Sequence, residues 1–167
     1  LPSGHVYLAM IYVPATVTQI TTARITDKRF TLTPDVPAVT EVFASGSTTM
    51  TNANQQYTAI TVTPAAGTYL VLAKLIATNN SSLTDSIAAS LLYATTFLDD
   101  AFFDMAASVG PGAQVTLTLM AKVTCDGSTA ITLQAAGGRA GWTIVRDARS
   151  NGGAVHQSTK LELIKCY

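Results

Sequence analysis

Residues 67–77 read GTYLVLAKLIA, and the fold turns on this stretch. In a strand, successive side chains point to opposite faces. One face here carries Tyr69, Val71, Ala73, Leu75 and Ala77, all apolar. The other carries Leu70, Leu72, Lys74 and Ile76, broken only by Lys74. A strand with one wet face alternates apolar and polar residues. This one does not, so two surfaces are expected to cover it. The second sheet of a β-sandwich supplies one cover, and an extra layer or another subunit supplies the other.

The rest of the chain agrees with an all-β reading, because period-2 runs recur between clusters of Gly, Pro, Asn, Asp and Ser. The clearest run is QVTLTLMAKVTC. It places Val115, Leu117, Leu119, Ala121, Val123 and Cys125 on one face and Thr116, Thr118, Lys122 and Thr124 on the other, where only Met120 is apolar. DGST follows, and Asp126-Gly127 suits a tight hairpin into AITLQAA. TEVFAS, YTAITVT, IAASLLYAT, FLDDAFFDM, WTIVRDA and TKLELIK complete the candidate strands. The segment around Ile87, Leu91 and Tyr93 has a loosely helical spacing as well, but is read as a strand. About eight or nine strands result, the number expected of an antiparallel jelly-roll β-sandwich.

The first 37 residues read differently. GHVYLAMIYVPA is apolar on both faces, and the stretch after it is Thr-rich, polar and interrupted by Pro34 and Pro37. We read residues 1–37 as an arm or collar and 38–167 as the sandwich domain. So few apolar residues cannot offset the arm's ordering entropy alone. The chain starts without Met, and we read it as a piece of something longer.

Composition excludes several classes of function. The 167 residues are 48% hydrophobic and 12% charged, against a usual charged fraction of about 25%. That balance favours burial of surface against other copies of the chain. Ten Lys and Arg offset ten Asp and Glu with no basic run, which disfavours a nucleic-acid partner. No apolar run approaches the roughly 20 residues a membrane helix needs.

No catalytic constellation is legible. The two histidines, His5 and His156, are far apart in sequence, and neither has a recognisable nucleophile or acid beside it. Asp99, Asp100 and Asp104 form an acidic cluster without the ligand pattern of a calcium loop, so it is read as a charged strand edge. No metal and no cofactor are expected. Cys125 and Cys166 lack zinc-site spacing, and two free thiols are favoured over a disulfide. AAGGRAGW lacks the signature of a phosphate loop and is read as a mobile loop. Beside it, Arg139 and Trp142 are the candidates for receptor contact, through a guanidinium and an indole stacking face, although core burial is the commoner fate of a lone Trp. The other candidate contact loops are TNNSSLTD, CDGST and RSNGGAVHQ.

Two resemblances sharpen this reading. YTAITVTPAAGTYLVLAKL and the terminal STKLELIK resemble strands of the complement and tumour-necrosis-factor jelly-roll superfamily, a likeness of pattern over residues 39–167. LPSGHVYLAMIYVPATVTQITTARITDKR resembles a segment of tail-fibre and tail-tip proteins of tailed bacteriophages. Pro2, Gly4, His5, Leu8, Ala9, Val13, Pro14, Ala15, Thr18, Ile20, Ile25, Thr26, Asp27 and Arg29 carry that likeness.

These resemblances imply a non-enzymatic virion protein. It would be a homotrimer joined by its arm to other virion proteins and would contact a host surface receptor such as a polysaccharide. A capsid decoration or head-fibre protein is the alternative. In trimeric jelly rolls one sheet faces the sandwich core on one side and the threefold axis on the other. That would explain a strand apolar on both faces, and Tyr69, Leu70, Val71, Leu72, Leu75 and Ile76 are the expected interface set. Each apolar side chain withdrawn from water contributes about 1.5–3 kcal/mol.

Overall fold

The computed structural model describes residues 9–11, 25–27, 38–103, 111–149 and 155–166. The chain divides into two units, Leu1–Val36 and Pro37–Tyr167. In the first, β1 (Ala9–Ile11) and β2 (Ile25–Asp27) pair antiparallel with Met10 opposite Thr26. The second holds β3 (Val39–Phe43), β4 (Thr48–Thr49), β5 (Tyr57–Val62), β6 (Gly67–Asn79), β7 (Ile87–Tyr93) and β8 (Thr96–Phe103). It continues through β9 (Gln114–Cys125), β10 (Ile131–Gly137), β11 (Trp142–Ile144), β12 (Asp147–Arg149), β13 (Val155–Ser158) and β14 (Lys160–Cys166).

The opening stretch lies within β6, the thirteen-residue strand that organises the first sheet. β9 pairs with one edge of β6 from Gly67 to Thr78. The other edge is shared: β14 takes Thr68–Lys74, with β3 outside it, and β11 takes Ala77–Asn79, with β4 outside it. Between these two partners the Ile76 N–H would be left unpaired, and an unpaired buried N–H is costly. The Thr159 hydroxyl fills the gap: it accepts from Ile76 N at 3.0 Å and donates to the Val145 carbonyl at 2.6 Å. The second sheet has the order β5-β10-β7-β8, and all pairings in both sheets are antiparallel.

The core lies between the sheets. Tyr69, Val71, Ala73, Leu75 and Ala77 of β6 and Val115, Leu117, Leu119, Val123 and Cys125 of β9 pack with Ile60, Ile87, Leu91, Ile131 and Leu133 of the other sheet. The alternation read in β6 and β9 therefore marks the inner face of one layer of a sandwich. The ambiguous segment around Leu91 is strand β7, whose Ile87, Ala89 and Leu91 face inward.

The expected hairpin between β9 and β10 does not form. β9 pairs with β6, whereas β10 pairs with β5 and β7, so residues 126–130 carry the chain from one sheet to the other. The crossing segment is built around Asp126. Asp126 Oδ1 accepts from the N–H of Ser128 at 2.8 Å and of Thr129 at 2.7 Å, and Oδ2 accepts from the Thr129 hydroxyl at 2.7 Å. The Asp side chain thus builds its own turn. At Gly127, φ +87°, an added Cβ would lie 3.1 Å from the Ala66 nitrogen. Those hydrogen bonds, the Thr129 hydroxyl foremost, hold the Asp126 carboxyl well below the usual carboxylate range. The tight hairpin is instead β7–β8, where Tyr93 pairs with Thr96 across two residues and Ala94 has φ +53°.

Cys125 and Cys166 are both free. Cys125 is buried as its register predicted, and burial, with Asp126 adjacent, pushes its thiol pKa up; Cys166 is only half-buried.

Candidate functional site

The face of the β6 sheet that points away from the core carries three rows across four strands. Register aligns Val39, Ile164, Leu70 and Lys122 in the first, Glu41, Glu162, Leu72 and Met120 in the second, and Phe43, Lys160, Lys74 and Thr118 in the third. Val39 is 56% exposed and Met120 62%, so apolar groups stand in solvent at both margins. In the middle lies a depression of about 460 Å³, lined by Leu72, Lys74, Asp99, Met120, Lys160 and Glu162 among others. Lys160 is its hub. The ammonium lies 2.8 Å from Glu41 Oε1 and also pairs with Glu162. These hydrogen bonds raise the Lys160 pKa, and the Lys160 ammonium lowers that of Glu41.

The expected interface residues divide between the two faces. Tyr69, Val71 and Leu75 belong to the sandwich core, so those three cannot meet a neighbouring subunit. Leu70 and Leu72 are half-buried on the outward face. Ile76 also points outward, yet is only 1% exposed. The β12–β13 ribbon branches from the sheet between β11 and β14, and β13 lies against β6. Ile76 is thus closed off at one end of the outward face, while Leu70 and Leu72 remain at the other.

Arg139, Trp142 and the TNNSSLTD loop occupy the end of the sandwich opposite Ala38. The Ala38 carbonyl accepts from Lys165 N, beside Gly67 and Cys125, whereas β6 finishes at Asn79. Residues 79–85 and 137–141 meet there. Asn80 N donates to the Gly141 carbonyl, and Asp85 Oδ2 accepts from Arg139 N and from the Trp142 indole N–H, each at 2.7 Å. Asn79, fully buried, accepts from the Ser81 N–H and hydroxyl and donates to the Leu83 carbonyl. At Gly138 an added Cβ would lie 2.6 Å from Asp85 Oδ1, and at Gly137 it would lie 2.3 Å from Trp142. The glycines thus allow close approach, and the segment read as a mobile loop is knit to its neighbours by backbone bonds.

Trp142 is 0% exposed. It presents no stacking face to a ligand, a correction that follows from its inward register at the start of β11. Arg139 is exposed beside it. CDGST lies at the opposite end, where Gly127 meets Ala66. Within RSNGGAVHQ, residues 150–154 lie outside the described residues, as does His5.

The outward face of the second sheet was not legible in sequence. Its rows are Thr61, Thr132, Leu92 and Phe97; Thr58, Gln134, Ser90 and Asp100; and Ala136, Ala88 and Phe102. Phe97 and Phe102 are an odd number of residues apart and would point to opposite faces of a regular strand. A register shift opposite Leu91 and Leu92 inserts one residue, and both rings land on the same face. Asp99, at this bulge, accepts from Met120 N at 2.8 Å and from Asp100 N at 3.0 Å, so its carboxylate caps the free edge of β9. Asp104 lies outside the described residues. Among the described residues no group of three or more His, Cys, Asp or Glu is placed to hold a metal ion, and no helix is long and apolar enough to cross a membrane.

Comparison with known proteins adds a fold. No protein-family model matches the chain, and no curated protein matches it. Eiger, a TNF of S. frugiperda, is similar in structure, with a TM-score of 0.51 at 8% identity, over 78% of this chain and 94% of that one. The C-terminal CBM6 of LamC, a laminarinase of Zobellia galactanivorans, scores 0.34 at 14% identity, over 77% of this chain and 100% of that one. A structure of infectious bursal disease virus, Gx strain, scores 0.38 at 14% identity, over 93% of this chain and 40% of that one. Neither of the last two scores establishes a common fold. The likeness to Eiger does, and at that identity it shows the fold alone: the chain contains a TNF-like jelly-roll sandwich.

Proposed function

We propose that this chain is the distal module of a tail-fibre or tail-tip protein of a tailed bacteriophage. It acts as a non-enzymatic homotrimer, joined through residues 1–37 to other virion proteins, and touches the host surface. The observation that carries the assembly is the outward face of the β6 sheet. Leu70 and Leu72 lie between the exposed Val39 and Met120, and apolar groups left in solvent on one face favour a partner. The ion pairs of Lys160 lie within the same face, where opposite charges fix the register of a contact more than its strength. The TNF-like sandwich supports the reading as a scaffold, and the resemblance of the arm supports its place on the particle.

Host contact belongs, in this reading, to the end opposite Ala38, where Arg139 is exposed on a rigid support, as binding loops on stable scaffolds commonly are. Virions lacking the chain decide the matter. Lost adsorption with intact particles is the expected result. Normal adsorption with weakened capsids would move the protein to the head, as a decoration protein.

A further inference from the structure

The outward face of the β5-β10-β7-β8 sheet takes no part in the assembly proposed above, and its chemistry differs from that of the opposite face. Its floor is low: Ser90 and Leu92 are buried, and Ala88 and Ala136 are small. Threonine hydroxyls and the Gln134 amide occupy the side formed by β5 and β10. From the β8 edge two phenyl rings rise above this floor, Phe97 at 61% exposure and Phe102 at 62%. They are two rows apart, about 13–14 Å at the rise of an extended strand, with Asp100 in the row between.

We infer that this face is a binding platform for a neutral polysaccharide. Phe97 and Phe102 stack on sugar rings, and Asp100, Gln134 and the threonine hydroxyls bond to sugar hydroxyls. A flat aromatic face can bury the C–H side of a sugar, and hydroxyl, amide and carboxylate groups match its O–H groups. A protein partner would want apolar groups at the centre and polar groups at the rim. Here the two central strands offer Thr132, Gln134 and Ser90 beside small Ala88 and Ala136 and a buried Leu92, so no large apolar group stands at the centre, and the rings stand at an edge with a carboxylate between them. A small ligand would want a concave site, whereas this face is an open sheet. Asp100 is the one charged side chain among the paired outward positions, so the face repels an anionic polymer and offers no cation to phosphates.

The row containing Phe102 is the one nearest the 137–141 loop, since Ala136 and Ala88 lie beside Gly137 and Ile87. The platform therefore runs from the Arg139 end down the flank of the sandwich. It deepens the host-contact reading by naming the ligand class, and rests on that reading only for where the glycan is found.

The test is native electrophoresis of the full chain in gels containing dextran, laminarin or galactomannan, with hyaluronate as the anionic polymer. F97A/F102A and F97Y/F102Y double variants are run beside the parent, and circular dichroism and mass are checked first. At least one neutral polysaccharide should retard the parent and the tyrosine variant, and the alanine variant should bind about tenfold more weakly. Retardation by none of the three, equal retardation by hyaluronate, or full binding by the alanine variant would overturn the platform. Cell adsorption separates the two readings. A chain that binds polysaccharide in the gel but whose loss leaves virion adsorption normal removes the host-contact reading and keeps the platform. Adsorption that needs the chain, with no neutral polysaccharide retarding that chain in the gel, does the reverse.

Discussion

Adjacent residues of β6 have opposite fates, and this makes the sandwich testable one side chain at a time. Val71 is 0% exposed and faces the second sheet, while Leu72 points out into the depression beside Lys160. Val71→Asp places an unpaired charge in the core and should cost about 4 kcal/mol or more, leaving little folded protein. Leu72→Asp should keep the native circular dichroism spectrum but yield a light-scattering mass near the 17.4 kDa of one chain rather than three times that. A folded trimer from the Leu72 variant would remove this face from the interface. Asp85 offers a second test. Its carboxylate is the acceptor for the buried Trp142 indole and for Arg139 N, so Asp85→Ala strands both donors. A loss of about 2–3 kcal/mol in urea unfolding is expected, with a change in the near-ultraviolet signal of Trp142.

At the scale of elements, the irregularity of the β7–β8 pair shapes the surface more than the regular ladders do. The bulge in β8 turns both Phe97 and Phe102 outward and leaves Asp99 to cap the edge of β9. Edge strands need such protection, because a free row of N–H groups invites pairing with another chain. The β7–β8 turn holds Ala94 at φ +53°, a conformation that suits glycine far better than a residue with a Cβ. Ala94→Gly should therefore stabilise the domain by about 0.5–1 kcal/mol and raise its melting temperature by about 2–4 °C. An unchanged or lower melting temperature would mean that the turn is not strained.

For the molecule as a whole, the charged cluster on the outward face of the β6 sheet contributes to the pH behaviour, beside Asp126, whose carboxyl is also held low. The Glu41 pKa is lowered by Lys160, so its contribution to the native state is complete above the ordinary glutamate pKa of about 4.3 and is lost as pH falls through the lower folded value. The Lys160 pKa is raised, so its contribution is complete below about 10.4 and is lost as pH rises through the higher folded value. This cluster therefore favours a plateau between about pH 5 and 10, visible as melting temperature and as oligomeric mass. Lys160→Gln should flatten the acid and alkaline limbs that this cluster contributes. A profile identical to that of the parent would show that the cluster is electrostatically idle.

Period-2 alternation was enough to place the long strands, to identify an all-β sandwich, and to sort Val115 through Cys125 onto the core face; it missed the short β4 and β13, and WTIVRDA, read as one strand, is divided between β11 and β12. Alternation is local: it follows from the pleat, and burial of one face keeps it in register. It says whether a side chain points inward or outward, but not which sheet its strand joins. That is why a β9–β10 hairpin looked plausible in sequence, while the folded chain crosses between sheets at Asp126. The same limit applies at Trp142, whose Gly-rich neighbours resembled a free loop until the contacts to Asp85 and Ser81, more than fifty residues earlier in the chain, closed around them. It applies again at Phe97 and Phe102, whose shared face depends on a bulge that no periodicity records. Sequence by itself determined the class of fold, because the pleat writes burial into every second residue. Tertiary structure alone decided strand partners, loop ends and the exposed faces, because those rest on contacts between residues far apart in the chain.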